Sequence, residues 1–329
     1  MAKCVPPKES GWTFCPNLAA SALFTVLYGL SFLLHLYLSF KTHKKFCWVI
    51  TMGAAWLTIG FALRTKAAHQ ITGIGDFIPQ SIIIFLGPLW LNGFVYMVLG
   101  RMVHMLLERD RVYNISARRL TLIFVILDIV AFFVQASSSG PMSSDDADTA
   151  QTGVYIMMAG VAIQQTFITS FIVLAIRFHY KLIIGTGTRH TQAIDERTAV
   201  KPAIYTVPWR RLLYALYLTL ILITIRNIFR LIEFSDGVEG YIAVHEAFFY
   251  SLDAMPIFCG LIVLAVVHPS CVLQGPDSEF PKREKKGKKD KTEKKRRRRR
   301  SRGKEREQEV EEAGAGRTDD PREVFVSQV

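Results

Sequence analysis

Seven blocks of mainly apolar residues, each about as long as a bilayer core is thick, leave this chain few ways to fold. At about 1.5 Å of rise per residue, roughly 20 helical residues cross a hydrocarbon core of about 30 Å. The blocks cover residues 17–40, 46–63, 79–100, 120–137, 153–178, 212–233 and about 245–267. Hydrophobic residues make up 50% of the 329, and an excess of this kind has to face something other than water. The patterning predicts an all-α, polytopic membrane protein, a bundle of seven transmembrane helices. It divides the chain into an N-terminal segment 1–16, a membrane domain 17–268 and a tail 269–329.

Lysine and arginine resist translocation, so their distribution among the short connections sets the orientation. Segments 41–45, 101–119 and 181–211 hold three, five and six of them. Segments 1–16, 64–78, 138–152 and 235–244 hold two, two, none and none. Fourteen against four predicts an outside N-terminus and a cytoplasmic tail. The sequon Asn114-Ile115-Ser116 then falls on the cytoplasmic side, where it is expected to stay unused. No cleavable leader precedes the first block, which is expected to serve as the insertion signal.

The formal net charge of +12 points at first to nucleic acid, but much of it lies in 282–306, beyond the last apolar block. No nucleic-acid partner is expected. The run is too polar to bury a core and is expected to be disordered. On the cytoplasmic side it would be drawn to anionic inner-leaflet lipid; a plain topology anchor is the alternative. The five cysteines, at 4, 15, 47, 259 and 271, make neither a disulfide framework nor a zinc site. Cys4 and Cys15 have the means to pair, but free thiols are the expected state.

Polar residues inside apolar blocks are the candidate functional groups, because each is costly in hydrocarbon unless paired or hydrated. They are Gln80, Asp128, Gln135, Gln164, Arg226, Arg230, Glu233, His245, Glu246 and Asp253. Arg226, Arg230 and Glu233 stand at i, i+4 and i+7 and share one helix face; Glu246 and Asp253, seven apart, share another. The short connection 234–244 makes these helices antiparallel neighbours. Arg226 and Arg230 are thereby expected against Asp253, with an Arg230–Asp253 pair and Glu233 near Glu246. Two uses stay open: the charges neutralise one another and fix helix register, or a carboxylate receives the cationic head of an amphiphile. His35 and His268 are expected as hydrogen-bonded core residues.

Signs of catalysis are poor. The chain has no GxxxxGK, HExxH or GxSxG, and His245-Glu246 followed by Asp253 lacks a second histidine at metal-ligand spacing. Neither enzyme chemistry nor a metal or other cofactor is expected. No repeat relates the first three blocks to the last three.

The run WRRLLYALYLTLILITIRNIFRLIEF, followed by GYIAVHEAFFYSLDAMPIF and VVHPS, resembles the C-terminal half of the fungal lipid-translocating exporters, also called the RTA-like or aminocholesterol-resistance family. PQSIIIFLGPLWLNGFVYMVLGRMV is similar to the family's third span, FVILDIVAFFVQASSSG to its fourth and Gly160 to Gln164 to its fifth, so the likeness covers about residues 12–270. It implies a seven-span protein of the plasma membrane or an internal membrane that exports, or confers resistance to, sphingoid long-chain bases or amino-sterols. Some relatives are linked to haem or porphyrin movement. The family's polar positions correspond to Gln80, Arg101, Asp128, Gln135, Gln164, Arg226, Arg230, Glu233, His245, Glu246, Asp253 and His268. One departs: the family usually has a glutamate three residues before Gly60, where this chain has Leu57. The partners implied are membrane lipids or amphipathic small molecules, with oligomeric state open. The alternative is a seven-span receptor-like sensor or regulator of lipid asymmetry.

Overall fold

A computed structural model of the chain describes Trp12 and residues 15–69, 74–108, 111–112, 115–142, 144, 146–187, 200–235, 237 and 240–274. The basic run 282–306, Cys4, Asn114, Asp145, Asp236 and Glu239 lie outside the described residues.

The main helices are α1 (Leu18–Thr42), α2 (Trp48–His69), α3 (Ile74–Leu106), α4 (Ala117–Ser137), α6 (Ala147–Gly187) and α7 (Trp209–Ser235). Short helices complete the set: α5 (Ser139–Met142), α8 (Tyr241–Val244) and α9 (Glu246–Phe248), the last continuing through a π-helical turn, Phe249–Ala254, into α10 (Met255–Val266). Among the described residues, seven spans are long and apolar enough to cross a bilayer, and the last, Glu246–Cys271, joins α9, the π turn and α10. One element departs from the all-α expectation: β1 (Arg111–Val112) pairs antiparallel with β2 (Ile115–Ser116) between α3 and α4.

The spans pack as a ring, α1 on α2, α2 on α3, α3 on α4, α4 on α6, α6 on α7, α7 on α10 and α10 back on α1. α3 also reaches across to α7 and α10. α1 shows how membrane and interior are told apart. Ser21, Phe24, Tyr28, Ser31, His35 and Ser39, spaced three or four apart, are buried, while Leu23, Val26, Leu30, Leu33 and Tyr37 are exposed. Such an apolar outer surface is a liability in water and a matching surface in lipid. The protein is a multi-pass membrane protein.

The helices overrun the apolar blocks. The second span runs Lys45–His69 where the block ended at Leu63, and the fifth runs Ala147–Thr186 around the block 153–178. Charged residues end hydropathy but not helical hydrogen bonding, and their long stems let the charge reach the membrane boundary. The helical stretch of the seventh span runs to Cys271, its last turn, Pro269–Cys271, following His268. Helix ends are closed by specific groups. Asn17 Oδ1 accepts the Ala20 amide at the start of α1, and at the end of α3 the Lys201 ammonium donates to the His104 carbonyl while its amide donates to Leu106.

Close approach of α2 and α3 depends on glycine. A Cβ on Gly87 would fall 2.3 Å from Leu57 Cδ2, and one on Gly53 2.7 Å from Trp90 Cβ. Leu57 therefore fills an apolar groove between these helices. Cys15 is disulfide-bonded, against the expectation of a free thiol, while Cys47, Cys259 and Cys271 are free.

Candidate functional site

α7 carries its charges on the buried side. Arg226, Arg230 and Glu233 are 5%, 5% and 8% exposed, and Asp253, on the π turn, is 2% exposed. The turn sits where it does because Pro256 follows: a proline has no N–H for the carbonyl a turn behind, and the helix widens ahead of it. That widening sets Asp253 opposite α7. Arg230 grips it with two parallel hydrogen bonds, Nε to Oδ1 at 2.8 Å and Nη2 to Oδ2 at 2.9 Å. The third Arg230 bond goes from Nη1 to Glu233 Oε2, 2.9 Å away. Arg226 Nε lies 2.9 Å from Asp253 Oδ1 as an ion contact, outside hydrogen-bonding alignment. Two arginines and two carboxylates thus balance in a region where an isolated charge costs several kcal/mol, of order 3 or more. Asp253 is committed to both arginines, whereas among the described residues Glu233 bonds through Oε2 and its Oε1 has no partner.

Glu233 and Glu246, expected near one another, have different partners. Glu246 belongs to Arg64 of α2: Arg64 Nη2 donates to Oε1 at 2.8 Å, the Tyr250 hydroxyl donates to the same oxygen at 3.0 Å, and the Asn17 amide donates to Oε2 at 2.6 Å. The Arg64 guanidinium lies 4.8 Å from the Trp12 ring centroid and 4.4 Å from that of Phe249, within cation–π range. Phe249 also faces Arg230 at 5.5 Å and so stands between the two ionic groups.

A third polar contact holds α4 to α3. Asp128 Oδ2 accepts from Asn92 Nδ2 at 2.9 Å and from the Tyr96 hydroxyl at 3.0 Å. Gln135 Nε2 donates to Gln164 Oε1 at 2.9 Å, joining α4 to α6. Gln80 is buried and donates to Ser81. His245 stands apart from all of these: it occupies the break between α8 and α9, exposed, with its Nδ1 2.6 Å from the Tyr241 carbonyl oxygen. The expected His35 role is met by a contact of Nε2 with the Leu261 carbonyl at 3.1 Å.

One chain of contacts leads outward from the ion cluster. Arg226 Nη1 donates to Asn227 Oδ1 at 3.4 Å, Asn227 Nδ2 donates to Gln165 Oε1 at 3.1 Å, and Gln165 Nε2 reaches Thr224 Oγ1 at 3.4 Å. Asn227 is fully buried, while Gln165 and Thr224 are half-buried on the α6–α7 seam. Further along the same seam lies an apolar groove of about 260 Å³ lined by Ile172, Ile176, Tyr217, Leu220 and Ile221. The sequence reading passed over Arg64, Asn92, Tyr96, Gln165, Asn227 and Phe249. Two signals were present: Leu57, Phe61 and Arg64 continue one helical stripe, and Asn92 and Tyr96 stand at i and i+4.

A seven-span membrane protein with a charge-balanced ion cluster on its last two spans is the class these features define. The chain belongs to the RTA1 like protein family, whose match covers residues 50–276. It is 38% identical over 298 residues to the probable lipid transporter atnI of Emericella nidulans, covering 86% of this chain and 76% of that protein. Protein RTA1 of Saccharomyces cerevisiae is 28% identical over 286 residues, 78% of this chain and 84% of its own. The sphingoid long-chain base transporter RSB1 of Saccharomyces cerevisiae is 22% identical over 287 residues, 81% of this chain and 75% of its own. No solved structure matches the chain.

Proposed function

We propose that this protein moves amphipathic molecules with a cationic head and an apolar tail, such as sphingoid long-chain bases or amino-sterols, across the membrane, acting as an exporter and not as an enzyme. The observation that carries the reading is the unbroken polar chain from the α6–α7 seam to the ion cluster: Gln165, Asn227, Arg226, Asp253, Arg230, Glu233. The groove lined by Ile172, Ile176, Tyr217, Leu220 and Ile221 takes the tail, and Glu233, with one oxygen open, receives the amine. Asp253 holds the two arginines in place; Gln135 and Gln164 keep α4 and α6 in register, and Gln80, buried on α3, is a further polar group for the head. The names of two relatives, a probable lipid transporter and a sphingoid long-chain base transporter, support this substrate class.

Segment 1–16 is assigned to the outside, the membrane domain to 17–268 and the tail 269–329 to the cytoplasm, with the plasma membrane as the site of action. The basic-residue asymmetry supports this orientation, as does the disulfide at Cys15, since such bonds persist in oxidising compartments. The run 282–306 would then rest on anionic lipid.

The test is reconstitution in liposomes with a labelled long-chain base. Wild type is expected to speed transbilayer movement, and Glu233→Gln, which keeps an acceptor for Arg230 but removes its charge, to lower the rate about tenfold or more, the worth of one charge-assisted bond, compared at equal amounts of folded, reconstituted protein. Wild-type flux equal to that of empty vesicles would end the transport reading. A Glu233→Gln variant as fast as wild type would remove Glu233 from the site.

A further inference from the structure

Asp128 is treated unlike the other buried carboxylates. It is fully buried, and among the described residues no arginine, lysine or histidine pairs with it. The groups facing it from α3 are Asn92 and Tyr96, both neutral; from α6, Phe171 packs on the Tyr96 and Phe124 rings at 4.4 and 5.1 Å. An ionised carboxylate left in such surroundings is among the costliest arrangements a membrane interior offers.

Its hydrogen bonding is also incomplete in a specific way. Oδ2 takes both donors, while Asp128 Oδ1 and Asn92 Oδ1 have no partner. Both orphans are acceptors, and both belong to groups already joined through Asn92 Nδ2 and Asp128 Oδ2. A carboxylic acid and a primary amide pair along two edges, one N–H to O and one O–H to O. Here the first edge is made, and the two oxygens that a second edge would join are the two orphans.

We propose that Asp128 is a proton-binding site in the membrane interior, with the proton on Oδ1 donated to Asn92 Oδ1, and that its occupancy governs how firmly α4 is held on α3. The proton comes from water and returns to it on release, which removes the O–H donor, leaves two acceptor oxygens, Asp128 Oδ1 and Asn92 Oδ1, to repel one another, and so loosens that edge of the contact. A hard metal cation fits less well, because it wants about six oxygens around it. The pair offers two orphans, and among the described residues no three histidine, cysteine or acidic side chains gather. The site is separate from the ion cluster on α7 and does not rest on the transport reading.

Infrared spectroscopy of the full chain in lipid, in H₂O and D₂O, tests this without any transport assay. At neutral pH the expected spectrum contains one protonated-carboxyl C=O band that shifts on deuteration, fades as pH is raised and is missing from Asp128→Asn. Wild-type and Asp128→Asn spectra with the same carboxylic-acid band would overturn the proposal. Should Asp128→Asn not fold, Asn92→Leu carries the test: its band moves to higher frequency when the amide partner is lost, and an unmoved band overturns the pairing. A band that sodium abolishes at constant pH would identify a metal cation as the occupant and overturn the proton.

Discussion

Two regions of the bundle interior solve the same problem in opposite ways. On α7 and the Phe249–Ala254 turn, carboxylates are matched by arginines, and Asp253 is held by two of them. Between α3 and α4, Asp128 meets only an amide and a phenol. Charge compensation makes the first region rigid and intolerant, since each ion is buried at a cost that only its partner offsets. Neutral hydrogen bonding makes the second cheap to alter. An acidic residue in a span is therefore no single kind of signal, and its neighbours decide its meaning.

The largest effect that can break this comparison is at Asp253. Asp253→Ala leaves two buried arginines without their shared counter-ion and is expected to cost about 3–5 kcal/mol, seen as collapse of folded yield and of the unfolding midpoint in detergent. Asp128→Asn is expected to cost less than about 1.5 kcal/mol, as for a neutral hydrogen bond. Equal losses would erase the distinction between the regions. Arg230→Asp combined with Asp253→Arg should recover part of the loss, and simple additivity of the two changes would count against the pairing.

An intermediate effect lies at Gly160, where α6 meets α4. A Cβ there would come within 2.6 Å of Gln135 Cγ and 3.0 Å of the Gln135 amide nitrogen. Backbone cannot yield as a flexible side chain can, so Gly160→Ala is expected to cost about 1–3 kcal/mol and to break the Gln135–Gln164 bond. The unfolding midpoint reads the first effect, and hydrogen exchange at α4 the second. An unchanged α4 would mean that this seam is held elsewhere.

The smallest effect is at the membrane boundary. Asp146 accepts from the Thr149 hydroxyl and amide at the start of α6, and these bonds hold its carboxyl below the ordinary carboxylate range. A lowered folded-state value stabilises above the unfolded value, and the contribution disappears as pH falls through the folded one. Asp146 is fully exposed, so Asp146→Ala should lower stability slightly at neutral pH and leave it unchanged below the folded-state value, which flattens the acid side of the stability–pH curve. A large loss at neutral pH would show that the cap does more than close a helix.

The spans, and the pairing of the sixth with the seventh, were legible because hydropathy and short connections are local properties; the closure of the ring by α10 on α1 was not. The Arg226–Arg230–Asp253 arrangement was legible for a similar reason: helical spacing and an 11-residue connection, 234–244, leave few choices. Partners distant in sequence were not. Nothing near Glu246 announces Arg64, 182 positions away, so Glu246 was grouped with the nearest charges. His245 was counted inside the seventh block because that block was drawn from about residue 245, whereas the helix starts one residue later, after a backbone break where the His245 φ of −101° and ψ of 95° are extended. Asp128 was visible as an oddity, but its neutral partners on α3 carry no charge to pair with on paper.

The aromatic cover over Arg64 has a consequence for concentration. Trp12 and Phe249 lie against the guanidinium, and Glu246 is tied to the start of α1. These contacts close the bundle at the end where Glu233 lies, so on the proposed route a substrate arrives sideways, already dissolved in the bilayer. Its effective concentration is then set by partitioning, at about 0.8 kcal/mol per methylene. Each carbon added to a tail raises apparent affinity about fourfold with no new contact to the protein. Chain-length preference measured against aqueous concentration would report mostly on the membrane, and selectivity belonging to the protein itself would show only after that slope is removed.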